Sequence, residues 1–329
     1  MGKAVTIKDV AAKAGVSVGT VSRVLAKNST VKAPLALRVR SAIDELGYKP
    51  NFAARALRVR HVNVIGLLVP DITNPFFAQL ADKIEGLATQ HEHAVIISSS
   101  RNDPRYEAQQ FSALLEHRPK AILLVPASDE RLFDLPEATP VYALDRGAPG
   151  LATFGTNQSD SAALALQHLV ELGHRDLAYI AGPDTTITGR QRKQGVLARA
   201  EALMNSGCAL NLKVHEGSFD FQAGETIARE ILTKPIRPSG ILAANDQIAI
   251  GVVRAARDMG IDVPTELSVV GFDDIDLATL VVPRLTTIRQ PVDDIASAAV
   301  AQVFSGEETR SDHLVMGELV RRQSTQAMG

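Results

Sequence analysis

Between residues 62 and 329, side chains able to grip a polar ligand recur in one setting: each cluster follows a short apolar run. Asp71-Ile72-Thr73-Asn74-Pro75-Phe76-Phe77 follows the first run, and Ser99-Ser100-Arg101-Asn102-Asp103 the second. Asp145-Arg146 follows a later one, and a loop running through Arg190 to Arg192 follows Ala181. Asn245-Asp246 and Asp273-Asp274 complete the series, and Ile288-Arg289-Gln290-Pro291 reads as a crossover between lobes. Carboxylates accept from adjacent hydroxyls and arginine donates in a fixed fork, while aromatic plates stack on a sugar face. The set suits a neutral polyhydroxylated ligand. Each residue also has a plainer reading. Phe76 and Phe77 are core residues, Asp246 and Asp273 are helix caps, and Arg190 and Arg192 are surface charges. Their shared position after apolar runs favours the ligand reading.

Other chemistry is poorly supported. No GxSxG elbow, P-loop, GxGxxG after a strand or HExxH motif is present. The eight histidines are scattered; His91 and His93 are close, but at a helix end. Asp273 and Asp274 are neighbours on a loop, which is weak evidence for acid–base work. The expectation is therefore no catalytic site, no metal site and no cofactor.

The first sixty residues carry a different signal. They hold twelve Lys or Arg against three acids, a charge of +9, and the remainder carries −11. A basic head on an acidic body is the footprint of a nucleic-acid module beside a domain with another task.

The elements that must position these groups follow from periodicity. In the head, Thr6 and Asp9 form a capping box, a helix runs to Ala14, and Gly15 ends it. Ser17 caps a second helix over residues 18–26. Two short helices around a tight turn are a helix-turn-helix, with Val10, Ala11, Ala14, Val16, Val21 and Val24 as its small core. Val18, Gly19, Ser22 and Arg23 are left exposed, and Arg23 either pairs with guanine or contacts phosphate. A third helix begins at Pro34 and stops at Gly47. Asn51 can cap a short alanine-rich helix through Arg58, too short to stand alone in water.

From Val62 the pattern becomes α/β. Strands are expected at 64–69, 94–98, 121–125, 141–144, 177–181, 240–243 and 268–271. Helices are expected near 75–91, 104–117, 159–172, 188–206, 221–233, 245–260 and 291–304. Such alternation implies doubly wound parallel sheets in two lobes, with ligands beyond the carboxyl ends of the strands. The single Cys208 excludes an internal disulfide. No apolar run near 18 residues and no secretory leader is present, so a cytoplasmic protein with no membrane partner is expected.

The segments TIKDVAAKAGVSVGTVSRVL and ELGYKPNFAARALR resemble the lactose repressor (LacI/GalR) family of bacterial transcriptional regulators. NPFF, ALDR, GHR, AANDQIAIG, SVVGFDDI and TTIRQP resemble that family's periplasmic-binding-protein-like core. The resemblance implies a ligand-controlled repressor that binds a pseudo-palindromic operator in double-stranded DNA. It places base reading on Val18, Gly19 and Arg23, a minor-groove wedge on Leu57, and DNA-facing hinge positions on Arg55 and Arg58. Thr6, Ser17, Thr20, Ser22 and Asn51 complete the expected DNA-binding set. Ala26 departs from the asparagine of many members. The effector set implied is Phe76, Phe77, Asp145, Arg192, Phe219, Asn245, Asp246, Asp273 and Gln290. A sugar is the expected effector, and Arg101 and Arg190 leave a sugar acid or sugar phosphate as second choice. The C-terminus lacks leucine heptads, so a homodimer held by the first lobe's early helices is expected. The expected domains are a helix-turn-helix over 1–48, a hinge over 49–61 and a core over 62–329. Lobe one takes 62–157 and 291–317, and lobe two takes 158–289 and 318–325.

Overall fold

The structure is a computed structural model that describes residues 5–25, 31–48, 63–129, 131–307 and 309–328. It forms two compact units, residues 1–62 and 63–329.

The first unit is α-helical. Helices α1 (Ile7–Ala14), α2 (Val18–Leu25) and α3 (Ala33–Leu46) enclose Val10, Ala11, Ala14, Val21, Val24, Val39 and Ala42. No buried side chain in this cluster is larger than valine, so local signals matter. Thr6 Oγ1 accepts from Asp9 N while Asp9 Oδ2 accepts from Thr6 N, the reciprocal box expected from the sequence. Gly15 takes φ +62° and turns the chain into α2. Arg38 Nη2 donates to the carbonyl of Ala14 at 2.6 Å and so ties α3 to the end of α1.

The second unit holds two sheets, the first parallel throughout and the second parallel except for its last strand. The first has strand order β11-β5-β4-β3-β1-β2, from β1 (Val64–Val69), β2 (Ala94–Ser99), β3 (Ile122–Leu124), β4 (Val141–Leu144), β5 (Thr153–Thr156) and β11 (His313–Val315). Helices α4 (Pro75–Gln90) and α11 (Val292–Ser305) contribute to the core on one face, with Leu67, Leu123 and Val125. Helix α5 (Pro104–Glu116) contributes Phe111 and Leu114 to the other, with Leu68, Ile122 and Leu124. That period-two division explains why β1 is buried at every position.

The second sheet repeats the plan as β12-β10-β9-β8-β6-β7. Its strands are β6 (Asp176–Ala181), β7 (Asn211–Glu216), β8 (Gly240–Ala243), β9 (Ser268–Asp273), β10 (Thr286–Arg289) and β12 (Glu318–Val320). Its helices are α6 (Gln158–Glu171), α7 (Ile187–Asn205), α8 (Phe221–Leu232), α9 (Asp246–Asp258) and the short α10 (Leu277–Leu280). A Cβ at Gly195 would lie 1.9 Å from the Ser159 carbonyl oxygen, so only glycine lets α7 lie this close to α6.

Five strands were not expected. Thr153–Thr156, Asn211–Glu216, Thr286–Arg289, His313–Val315 and Glu318–Val320 lack a continuous apolar run, and all but Asn211–Glu216 are short. Their hydrogen-bonded neighbours, not their own composition, make them strands.

Candidate functional site

In the head, α2 turns Val21 and Val24 inward and leaves Gly19, Ser22 and Arg23 exposed, with Val18 and Thr20 partly covered. Ser17 Oγ accepts from Thr20 N at 3.2 Å and so caps α2. Arg23 Nε donates to the Gly19 carbonyl at 3.3 Å, while its side chain stays at the surface. The side chains of Thr6, Ser17 and Thr20 are spent on local hydrogen bonds. The expected hinge residues Asn51, Arg55, Leu57 and Arg58 lie outside the described residues.

In the second unit, the residues at strand ends converge. Arg192, on α7 after β6, is 3% exposed and is the hub. Its Nε donates to Gln158 Oε1 at 2.8 Å, Nη1 to the Ala244 carbonyl at 2.6 Å and Nη2 to Asp273 Oδ1 at 3.2 Å. Its guanidinium lies 3.7 Å from the centroid of the Phe272 ring. Gln158 Nε2 then donates to Asp145 Oδ1, after β4, at 2.8 Å. On the other side Gln290 Nε2 donates to Asp273 Oδ1 at 2.8 Å, and Gln290 Oε1 accepts from Thr156 Oγ1 at 2.6 Å. A continuous buried polar chain thus joins Asp145 and Thr156 of the first sheet to Arg192 and Asp273 of the second.

Beside this chain lies a cleft of about 240 Å³. Phe77 and Phe219 line it, with Asn74, Arg146, Thr185, Thr186 and Ser218. A Cβ at Gly182 would lie 2.2 Å from the Phe219 ring, so this glycine makes room for the aromatic plate. A wider cleft of about 470 Å³ opens beyond Asp273 and Gln290, but Asp82, Asp274, Asp276, Asp293 and Asp294 surround it with only Lys83 and Arg289 to balance them. It has no aromatic wall.

Burial shapes the charges. It pushes the Asp273 carboxyl up to about 6 against the pull of Arg192, and it raises Asp145 too. Asp246 is raised well above the usual carboxylate range, first by burial and then by Asp273. Asp273 also holds φ at +114°, a conformation disfavoured for a residue with a Cβ and found at functional sites.

Several expected residues do other work. Phe76 and Phe77 both pack in the apolar core with Leu80 and Ile84, edge-on to each other, and only Phe77 also reaches the cleft. Helical spacing turns adjacent residues apart, which the pair of letters does not reveal. Of the expected effector residues only Phe77 and Phe219 line the cleft: Asp145, Arg192 and Asn245 are not in its wall, Asp273 and Gln290 line the wider cleft, and the Asp246 carboxylate accepts from Thr287 Oγ1 and from Ile275 N at 2.9 Å. The cap of α9 is Asn245, whose Oδ1 accepts from Ile248 N at 2.9 Å while Nδ2 reaches the Phe219 carbonyl at 3.3 Å. Arg190 is held by Asp129 and the Asp184 carbonyl, and Arg101 lies over the Tyr106 ring. Neither lines the cleft, so the pair offers no anion site there.

Sequence reasoning missed Gln158 and Phe272, and it singled out Arg146 after a strand without placing it in the effector set. Gln158 follows β5, a strand that left no sequence signal.

The fold matches known proteins. Residues 6–51 match the model for bacterial regulatory proteins of the lacI family, and residues 166–325 match a periplasmic binding protein-like domain. The HTH-type transcriptional regulator GalS of Salmonella typhimurium is 33% identical over 97% of this chain and 96% of its own length. Among solved structures, the lac repressor dimer bound to operator and the anti-inducer ONPF superposes with a TM-score of 0.86 at 29% identity, covering 99% of this chain and all of that one. The CelR–cellobiose complex matches with a TM-score of 0.70 at 26% identity, over 97% of this chain and 99% of that one. The chain therefore belongs to the lacI family of bacterial regulatory proteins, which bind DNA through an N-terminal helix-turn-helix.

Proposed function

We propose that this chain is a homodimeric repressor that binds a pseudo-palindromic operator and is controlled by a neutral sugar, with no catalytic activity. The observation that supports the sugar reading is the buried chain from Asp145 to Asp273 beside a cleft walled by Phe77 and Phe219. At about 240 Å³ the cleft falls below the roughly 300–1,000 Å³ of drug-sized sites, which fits one sugar ring. Charge argues for a neutral ligand. Arg146 and Arg192 are already faced by Asp145 and Asp273, so a bound phosphate would leave its charge unbalanced in a dry site. On this reading Phe77, Arg146 and Phe219 meet the effector in the cleft wall, Asp145, Arg192, Asp273 and Gln290 form the buried polar chain that supports the site, and Asn245 holds the Phe219 carbonyl.

The head reads base edges with Val18, Gly19, Ser22 and Arg23, and phosphate contacts provide much of the affinity. Residues 49–61 act as the hinge, with Leu57 as the wedge, through which effector binding alters operator affinity. A coupling of about 1–3 kcal/mol is typical of such a link. The solved lac repressor relative is a dimer on its operator, which supports the assembly, and no helix among the described residues is long and apolar enough to cross a membrane. The protein works in the cytoplasm.

A thermal-shift screen of neutral sugars, sugar acids, sugar phosphates and nucleosides tests the reading; the absence of Trp makes fluorescence quenching a poor substitute. A neutral sugar should raise the melting temperature and change operator affinity. A response to sugar phosphates alone would sink the neutral-sugar assignment.

A further inference from the structure

We propose that Glu107, set behind the cleft wall, is a positioning residue for the effector: it holds the Pro126–Ala127 turn on which the Arg146 guanidinium rests. The inference depends on the cleft beside Phe77 and Phe219 being the effector site.

Glu107 stands in the first turn of α5 and is 2% exposed, a depth at which glutamate is almost never found unpaired. The helix does not need it as a cap. Asp103 already fills that role, accepting from Arg105 N at 2.8 Å. The Glu107 carboxylate instead accepts the backbone N–H of Ala127, just past β3. One residue earlier, the Pro126 carbonyl accepts from Arg146 Nη1 at 3.2 Å. Ala127 and Arg146 both line the cleft, so one short turn carries the position of a buried carboxylate to a cationic wall. Arg146 is 6% exposed, and its Nε is buried with no hydrogen-bond partner. A buried donor left unsatisfied is costly, and a ligand oxygen would satisfy it.

Charge links the two ends of this relay. Arg146 is the charged group that faces Glu107. Arg146 in turn is faced by Asp145, Arg192, Glu107 and Asp273. Burial pushes the Glu107 carboxyl up to about 7, so both of its forms are populated near neutrality. The ionised form offsets the Arg146 charge and anchors the Ala127 amide; the neutral form offsets nothing. A sugar that draws on Arg146 therefore binds more tightly above pH 7 than below it. Asp273 titrates near 6 and contributes its own pH dependence, so the decisive comparison is between variants.

The test uses the full chain and whichever of D-ribose, D-xylose, D-galactose or D-glucose most raises its melting temperature. Titration calorimetry is run from pH 5.5 to 8.5. The wild type should gain about tenfold in affinity across neutrality, the change transmitted by one unit of pKa linkage. Glu107→Gln should lose that gain and bind at pH 8 as weakly as the wild type does below 7, and Glu107→Asp should retain it. Phe219→Ala, which removes a cleft wall, should abolish binding. If Phe219→Ala abolishes binding but Glu107→Gln follows the wild-type profile, the positioning role is wrong and the cleft reading stands. If Phe219→Ala binds as the wild type does, or no sugar raises the melting temperature, the cleft reading falls and this inference with it. A wild-type affinity flat from pH 6 to 8 overturns the positioning role without recourse to any variant.

Discussion

The two lobes share one strand order and differ in how they are finished. The last strand of the first sheet, β11, runs parallel to β5, whereas the last strand of the second, β12, runs antiparallel to β10. They also spend their buried polar groups differently. Lobe one contributes Phe77 and Arg146 to the cleft wall and Asp145 to the buried polar chain, with Glu107 behind, and Arg146 keeps an unsatisfied donor. Lobe two contributes Arg192, each of whose guanidinium nitrogens has a partner, and Asp273 and Gln290 knotted around it. The difference teaches a division of labour. Lobe two presents an arginine whose guanidinium nitrogens are all engaged, and lobe one presents an arginine with a donor to spare.

The largest effect should come from breaking the lobe-two hub. Arg192→Ala leaves Asp273 buried without its cation, so it should cost about 3–5 kcal/mol in denaturant unfolding and abolish the effector response. A variant that still responds at the same effector concentration would mean the hub has been misassigned. Next comes helix packing. Gly195→Ala sets a Cβ 1.9 Å from the Ser159 carbonyl and should cost roughly 1–3 kcal/mol, since backbone must move. Gly66→Ala in lobe one meets side chains and no backbone, Ile122 at 3.2 Å and Leu114 at 3.4 Å, so its cost should stay within about 1 kcal/mol. Equal losses in a urea titration would erase this contrast between the lobes.

The lobes should also respond oppositely to pH. Glu107 in lobe one has a folded value of about 7, raised by burial from 4.5. Its contribution is present below about 4.5 and is lost as pH rises toward 7, so Glu107→Gln should gain stability over the wild type across that window. His168 in lobe two is lowered by burial from 6.5 to about 4, with Nε2 facing Thr325 Oγ1 at 3.0 Å. Its contribution is present above about 6.5 and is lost as pH falls through 4. Melting curves of Glu107→Gln and His168→Gln that diverge from the wild type in the same direction would refute the contrast. The smallest effect belongs to the head. Thr6→Ala removes the cap of α1 and should cost about 1 kcal/mol, read as loss of helical circular dichroism at lower temperature, with effector binding unchanged.

Much of this molecule was legible in its sequence, for identifiable reasons. The charge split, the capping box at Thr6 and Asp9, the turn at Gly15 and the apolar runs of β1, β4 and β8 are local, so composition and spacing report them directly. The rule that ligands lie past strand ends brought Asp145, Arg192 and Asp273 into view before any contact was known, and the family resemblance added Gln290. Other features depend on partners far away in the chain. Thr153–Thr156 becomes a strand because β4 and β11 flank it, and only then does Gln158 stand between Asp145 and Arg192 in the buried polar chain. The choice between Phe76 and Phe77, and the diversion of Asp246 to Thr287 and Ile275, were likewise decided by packing. Local periodicity determines which residues can reach a strand end. Long-range burial determines which of them keeps a hydrogen bond free for a ligand.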